Sequence, residues 1–448
     1  MFTYIKLKNF LSFKDVTIDF QNSDKEVKKF IAIYGENGSG KSNIVNSIDL
    51  LRRSIESFGR MEHFEEIQKL MDKKEFSHEV IEMFLNSFNI SHHINRCRMV
   101  DCEENTTVEY GFRIGNNKGY YVLSFGERFS YEKLYYFTGK QRGILFEIKN
   151  TKDKNELFFS NKLFLSNEVE KDIRNEINKY WGKHTFLGIL ENEIEKKNES
   201  YIKENYLSHI FEVLEMFNDI SAYCKMTPHY KSRHYSDKPN NVLGDLSKGK
   251  IKAVKEAQLD CSERILKDFF TQAYADIKDV FYKKSHESDE IEYKLFFKKM
   301  IGGKIRTIDI ERESAGTQHI LDVIRSLLGA FCGVTVVYDE IDNGIHDLLL
   351  KNIILSMMDE ITGQLIITTH NTFLLESIDI KSAFVITVDY LGNKEVKCLN
   401  KYPRIQGTNN PRNMYLKGLF GGVPIVDIVD YDEIIDELQE TNHFIGGE

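Results

Sequence analysis

Gly35-Glu36-Asn37-Gly38-Ser39-Gly40-Lys41-Ser42 fits the pattern G-x-x-x-x-G-K-[S/T], and its flanks leave it little structural freedom. Before it, Phe30-Ile31-Ala32-Ile33-Tyr34 is a short apolar run typical of a buried strand. After it, Ile44, Val45, Ile48, Leu51 and Ile55 recur at helical spacing. A strand that passes through a glycine loop into a helix points backbone N–H groups, and the positive end of the helix, at phosphate oxygens. Lys41 is expected to reach the β and γ phosphates, and the Ser42 hydroxyl to hold Mg²⁺. Gly35, Asn37, Gly38, Gly40, Lys41, Ser42 and Asn43 are therefore the candidate ATP-binding residues. The bland alternative, a Gly/Ser turn with a stray lysine, does not explain the strand and helix on either side.

Val334-Thr335-Val336-Val337-Tyr338 reads as a buried parallel strand that ends in Asp339-Glu340. Open α/β sheets place ligands at the carboxyl ends of their strands. Beside a phosphate loop, Asp339 is expected to bind Mg²⁺, and Glu340 to align or deprotonate the attacking water. Gln364 to Thr369 forms a second apolar strand followed by His370, a candidate γ-phosphate sensor. Upstream, Glu313-Ser314-Ala315-Gly316-Thr317 precedes an amphipathic helix bearing Ile320, Leu321, Ile324 and Leu327. Ser314 fits a helix cap, and Gly316 permits close approach of backbone to phosphate.

These elements, in this order, resemble the ABC-type ATPase heads of SMC, RecF and OLD-family proteins, where phosphate loop, signature, acidic strand end and switch histidine follow one another. The resemblance covers residues 1 to 50 and about 305 to 400. It implies that Ser314 and Gly316 act in trans, on a nucleotide held by another subunit's Lys41, and that Asp342 lies in a D-loop crossing the dimer interface. Only Ser314 and Gly316 of the signature match the transporter form, and the glutamine loop has no clear counterpart; Gln141 lies in a suitable region. The opening Ile5-to-Asp15 segment, Thr368-Thr369-His370-Asn371 and Tyr415-to-Pro424 also resemble the ATPases of bacterial abortive-infection systems of the AbiL, PARIS (AriA) and Septu (PtuA) type. That implies phage defence with a separate effector, a toxin or nuclease. Fewer than 80 residues follow His370, so a built-in nuclease is not expected.

The expected fold class is α/β: a P-loop NTPase of the ABC-ATPase head type with a large, mainly helical insertion. Residues 1–55 and 300–400 form the split core, 56–150 a mixed lobe, 151–299 a mainly helical arm and 401–448 an acidic extension. The formal charge of −9 opposes a surface coated in positive field. It leaves room for a local DNA contact, for which Lys225 to Lys238, with Lys231 and Arg233 among tyrosines and histidines, is the candidate, a solvated loop being the plainer reading. His92-His93 with Cys97 and Cys102 misses the common metal-ligand spacings. Six scattered cysteines, no secretory segment and no apolar run of bilayer length point to a cytoplasmic protein without a membrane partner. The expected partners are a second copy, closed over ATP and Mg²⁺, and the effector; a DNA-acting repair or condensation ATPase is the alternative.

Overall fold

The computed structural model describes residues 1–23, 26–71, 90–137, 143–151, 154–161, 163–227, 230–234, 236, 238–403, 410–423 and 431–445. The chain opens with β1 (Phe2–Phe10), β2 (Phe13–Asp19), β3 (Gln21–Ser23), β4 (Glu26–Val27) and β5 (Phe30–Tyr34). Helices α1 (Lys41–Met71) and α2 (Ile90–Cys97) follow. Next come β6 (Thr106–Ile114), β7 (Asn117–Phe125), β8 (Phe129–Phe137), β9 (Ile144–Asn150) and β10 (Asn155–Phe159). A helical stretch holds α3 (Asn167–Tyr180), α4 (Phe186–Glu195), α5 (Glu199–Asn205) and α6 (Ser208–Asn218). Then β11 (Ile220–Thr227), β12 (Tyr230–His234), β13 (Lys248–Lys252), α7 (Glu256–Ala273), β14 (Ile277–Glu287), β15 (Glu290–Ile301) and β16 (Lys304–Asp309) lead to α8 (Ala315–Phe331). The last part contains β17 (Thr335–Tyr338), α9 (Asp347–Met357), β18 (Gln364–Thr368), α10 (Thr372–Leu375), β19 (Ala383–Val388), β20 (Lys394–Cys398), α11 (Pro411–Leu416) and α12 (Tyr431–Ile445).

The central sheet runs β12-β11-β17-β18-β5-β19-β20, with its five inner strands parallel. Its inner strands are buried on both faces, which is why they read as continuous apolar runs. Ile31, Ile33, Val337 and Ile366 face one core, with the antiparallel sheet β10-β9-β8-β7-β6-β1-β2 and helices α1, α4 and α6. Ala32, Tyr34, Val336 and Ile367 face the other, with α7, α8, α9 and the small sheet of β13 to β16. The period of two along each strand thus divides a single sheet between two cores.

Two departures from the sequence reading concern residues 151–299. Helical structure over 165–222 stops at Asn218, because Ile220 to Tyr223 pair in parallel with Thr335 to Tyr338 as β11 of the core sheet. Strands β13 to β15 also fall in this span. Their many lysines and glutamates suit the exposed face of an antiparallel sheet as well as they suit a helix surface.

Buried polar side chains fix how the layers meet. The Gln364 amide, fully buried, accepts from the Phe2 N–H (2.8 Å) and donates to the carbonyls of Phe2 (2.9 Å) and Lys28 (3.0 Å). It therefore joins the first strand of the antiparallel sheet to the core sheet. Glu132, also fully buried, accepts from the Tyr121 hydroxyl, the Trp181 indole and the N–H groups of Phe186 and Leu187. Burial pushes its pKa up, and these four donors oppose that shift without cancelling it.

Two buried histidines carry a pH prediction. Burial pushes His93 down to about 3 and His184 down to about 4, from an ordinary value of 6.5. Both fold as neutral rings, so their contribution to stability is complete above pH 6.5 and is lost as pH falls towards those values. At pH 5 the unfolded chain binds a proton at each site, costing roughly 2 kcal/mol of stability per histidine. Urea melts at pH 7.5 and pH 5 check this, and H184Q narrows the gap between them.

Candidate functional site

The three active strand ends emerge side by side, because β17, β18 and β5 are neighbours with parallel register. The phosphate loop leaves β5, Asp339-Glu340 ends β17, and Thr369-His370 follows β18. One cavity of about 630 Å³ is lined by Asn37, Gly38, Gly40, Lys41, Ser42, Asn43, Glu340 and His370. The fold thus gathers residues lying more than 300 positions apart.

Gly40 adopts φ +109°, and a Cβ there would stand 2.9 Å from the Phe13 ring, so the loop turns only with glycine at this point. Lys41 is buried and donates to the carbonyls of Gly35 (2.8 Å) and Glu36 (3.0 Å). Burial pushes its pKa down, and the carboxylates of Asp339, Glu340, Asp342 and Glu36 oppose that shift. The Asn43 amide donates to the Ser12 hydroxyl (2.7 Å), tying the first turn of α1 to the β1–β2 turn.

Asp339 is 1% exposed and accepts from the Thr368 hydroxyl at 2.6 Å. The same hydroxyl accepts from the Glu340 N–H at 2.8 Å. Glu340 sits at φ +49°, a left-handed conformation costing a non-glycine residue roughly 1–3 kcal/mol. Thr368 and the Asn343 N–H on the Glu340 carbonyl (3.1 Å) hold it there. Ser42, half-buried, and Asp339 supply oxygen ligands only, which suits Mg²⁺; this ion is ordinarily completed by phosphate oxygens and water. Among the described residues no cluster of three or more His, Cys, Asp or Glu forms an all-protein metal cage. His93 and Cys97 are instead buried core residues.

His370 is exposed at the cavity mouth, and its backbone N–H donates to Asp342 Oδ2 at 3.0 Å. Partial burial and then Lys41 push its pKa down, against Asp342 and Glu340, so the ring is neutral at physiological pH. Asp342 thus makes a contact within its own chain.

Ser314 and Gly316 do not line the Lys41 cavity. Ser314 caps α8, accepting from the Thr317 N–H at 3.1 Å. Gly316 packs on the turn at Gly344: a Cβ there would stand 2.1 Å from the Gly344 carbonyl oxygen. Gln141 lies outside the described residues.

The sequence reading missed Thr368 as a positioning group, although a hydroxyl at the end of a buried apolar strand was a usable signal. It also missed Arg96 and Arg98, which line the same cavity. No local pattern marks them; they arrive because Arg98 bridges to Phe10 and the Leu11 N–H donates to the Cys97 carbonyl. Arg98 Nε is buried without a hydrogen-bond partner, while Nη2 reaches the Cys102 carbonyl at 3.3 Å. R98A is expected to weaken ATP binding roughly tenfold without lowering the melting temperature; titration with a fluorescent ATP analogue measures it.

Residues 122–376 match the family model described as "AAA domain, putative AbiEii toxin, Type IV TA system", a span of more than half the chain. The chain belongs to this family. This AAA-domain protein has the α/β fold of a P-loop NTPase. Among curated proteins, none matches it. Among solved structures it is similar to the SMC head bound to the C-winged helix domain of ScpA, at 14% identity over 88% of this chain and 96% of that one, with a TM-score of 0.39. It is similar to the SMC head with an extended coiled coil, bound to the C-terminal domain of ScpA derived from Pyrococcus furiosus (14% identity, 88% and 95% covered, TM-score 0.41). A third is the SMC head domain from Thermotoga maritima (15% identity, 89% and 98% covered, TM-score 0.35). Among the described residues of this AAA-domain protein, no helix is long and apolar enough to cross a membrane.

Proposed function

We propose that this chain binds and hydrolyses ATP as the sensor and scaffold subunit of an anti-phage, abortive-infection system, controlling a separate effector through ATP-dependent pairing of two heads. The observation that carries the reading is the convergence of Lys41, Ser42, Glu340 and His370 on one cavity, with Ser314 and Gly316 held outside it. In this reading the loop N–H groups and Lys41 hold the phosphates, and the Glu340 carboxylate orients the attacking water and takes its proton. The neutral His370 ring contacts the γ-phosphate. Ser42 and Asp339 would hold Mg²⁺, which neutralises charge on the phosphates. Ser314 and the α8 N-terminus would close over the nucleotide of a second copy.

The family's description, naming the AbiEii toxin and a toxin–antitoxin system, supports the defence role. Helix α12 supports a protein partner: Tyr431, Ile434, Ile435 and Leu438 are exposed at i, i+3, i+4 and i+7. Phage challenge of cells carrying wild type or K41A, with the neighbouring genes present, tests the role. Protection is expected to vanish with K41A, and equal protection would sink the role assigned to ATP. Turnover measured with and without duplex DNA at one stated low salt tests the rest. Strong stimulation, lost on K231E/R233E, would replace the defence scaffold with a DNA-acting ATPase.

A further inference from the structure

The phosphate loop is also touched by the C-terminal part of the chain. Lys394, the first residue of the edge strand β20, is half-buried; its Nζ donates to the Gly38 carbonyl at 2.8 Å and to the Ser12 hydroxyl at 2.7 Å. Ser12 is the group that also receives the Asn43 amide, so one hydroxyl links Lys394 to the first turn of α1. Gly38 is the apex of the loop, at φ +78°. A lysine ammonium therefore holds the apex at Gly38, while Lys41 holds the carbonyls of Gly35 and Glu36.

A second contact lies at the base of the loop. Gly421 and Gly422 adopt φ +68° and +69°, turning the chain back onto β19. A Cβ on Gly422 would stand 2.9 Å from the Ile386 carbonyl oxygen and 3.6 Å from Gly35 Cα, so this turn rests on the first glycine of the loop. Tyr415 secures it: its hydroxyl donates to the Gly422 carbonyl at 2.9 Å, and its ring lies 5.9 Å from that of Tyr34, the residue entering the loop. Tyr402 donates to the Phe420 carbonyl at 2.9 Å.

We infer that Lys394 and residues 410–422 are a working part of the nucleotide site: Lys394 and the Gly421–Gly422 turn brace the phosphate loop, and Lys394 is a positioning residue for its apex. The inference rests on reading the cavity as a nucleotide site. Because the brace touches both the apex and the base of the loop, a nucleotide that orders the loop also orders the brace, and the coupling is reciprocal.

The test uses the full chain as wild type, K394M and K394R with a fluorescent ATP analogue. K394M is expected to weaken binding roughly tenfold, as loss of charge-assisted hydrogen bonds does. KM should rise in step while kcat holds, and K394R should recover most of the loss. Equal binding by K394M and wild type would overturn the brace. Should K394M melt early, amide exchange on the wild type decides. Slower exchange over 410–423 on adding ATP supports the coupling, and unchanged exchange there overturns it. Wild type that fails to bind the analogue at all overturns the nucleotide reading itself, an outcome distinct from failure of the brace.

Discussion

Replacing Glu340 by glutamine lowers ATP turnover by roughly 10²–10³-fold, in the range seen when one group that stabilises the transition state is removed. Glutamine keeps the size of the side chain, and the backbone N–H that donates to Thr368 is untouched, so the left-handed turn at residue 340 survives. What is lost is the carboxylate that can take a proton from water. ATP binding therefore stays intact, and E340Q accumulates as an ATP-bound pair of heads. Single-turnover kinetics and light scattering with ATP measure the two halves separately. A variant that hydrolyses at the wild-type rate would remove Glu340 from its role, and one that stays monomeric with ATP would remove the paired-head mechanism.

The second large effect is expected at Gly316. A single methyl group there would stand 2.1 Å from the Gly344 carbonyl oxygen, so G316A must push the N-terminus of α8 away from the turn at Gly344. Because Gly316 lies outside the Lys41 cavity, binding of ATP to one chain should barely change while turnover collapses. Mixing gives the sharper result. K41A and G316A are each inactive alone, but a mixed pair holds one site with an intact Lys41 facing an intact Gly316. Partial recovery of turnover on mixing is the expected outcome. No recovery, with both proteins folded by circular dichroism, would mean that the two residues serve one nucleotide from one chain.

The phosphate loop, the Asp339-Glu340 strand end and the strand before His370 were legible because each is contiguous. A buried parallel strand needs an unbroken apolar run, and its C-terminal end is where polar residues can return to solvent. The domain-level reading was less secure where composition is ambiguous. Ile220 to Thr227 follows a helical, charged stretch, and only pairing with β17 makes it a core strand.

Local sequence by itself determined that a glycine loop joins a buried strand to a helix, that a pair of carboxylates ends another strand, and that a serine caps α8 before a glycine. These are properties of neighbouring residues, set by backbone geometry and the apolar period. Only the tertiary structure decided that Thr368 holds Asp339 and Glu340 together, that Arg98 enters the cavity, that Asp342 takes the His370 N–H, and that Lys394 reaches Gly38. Each of these contacts joins separate segments, the last across more than 350 positions. Strand order and register bring them together, and those follow from how two cores share one sheet, which no short window of sequence contains.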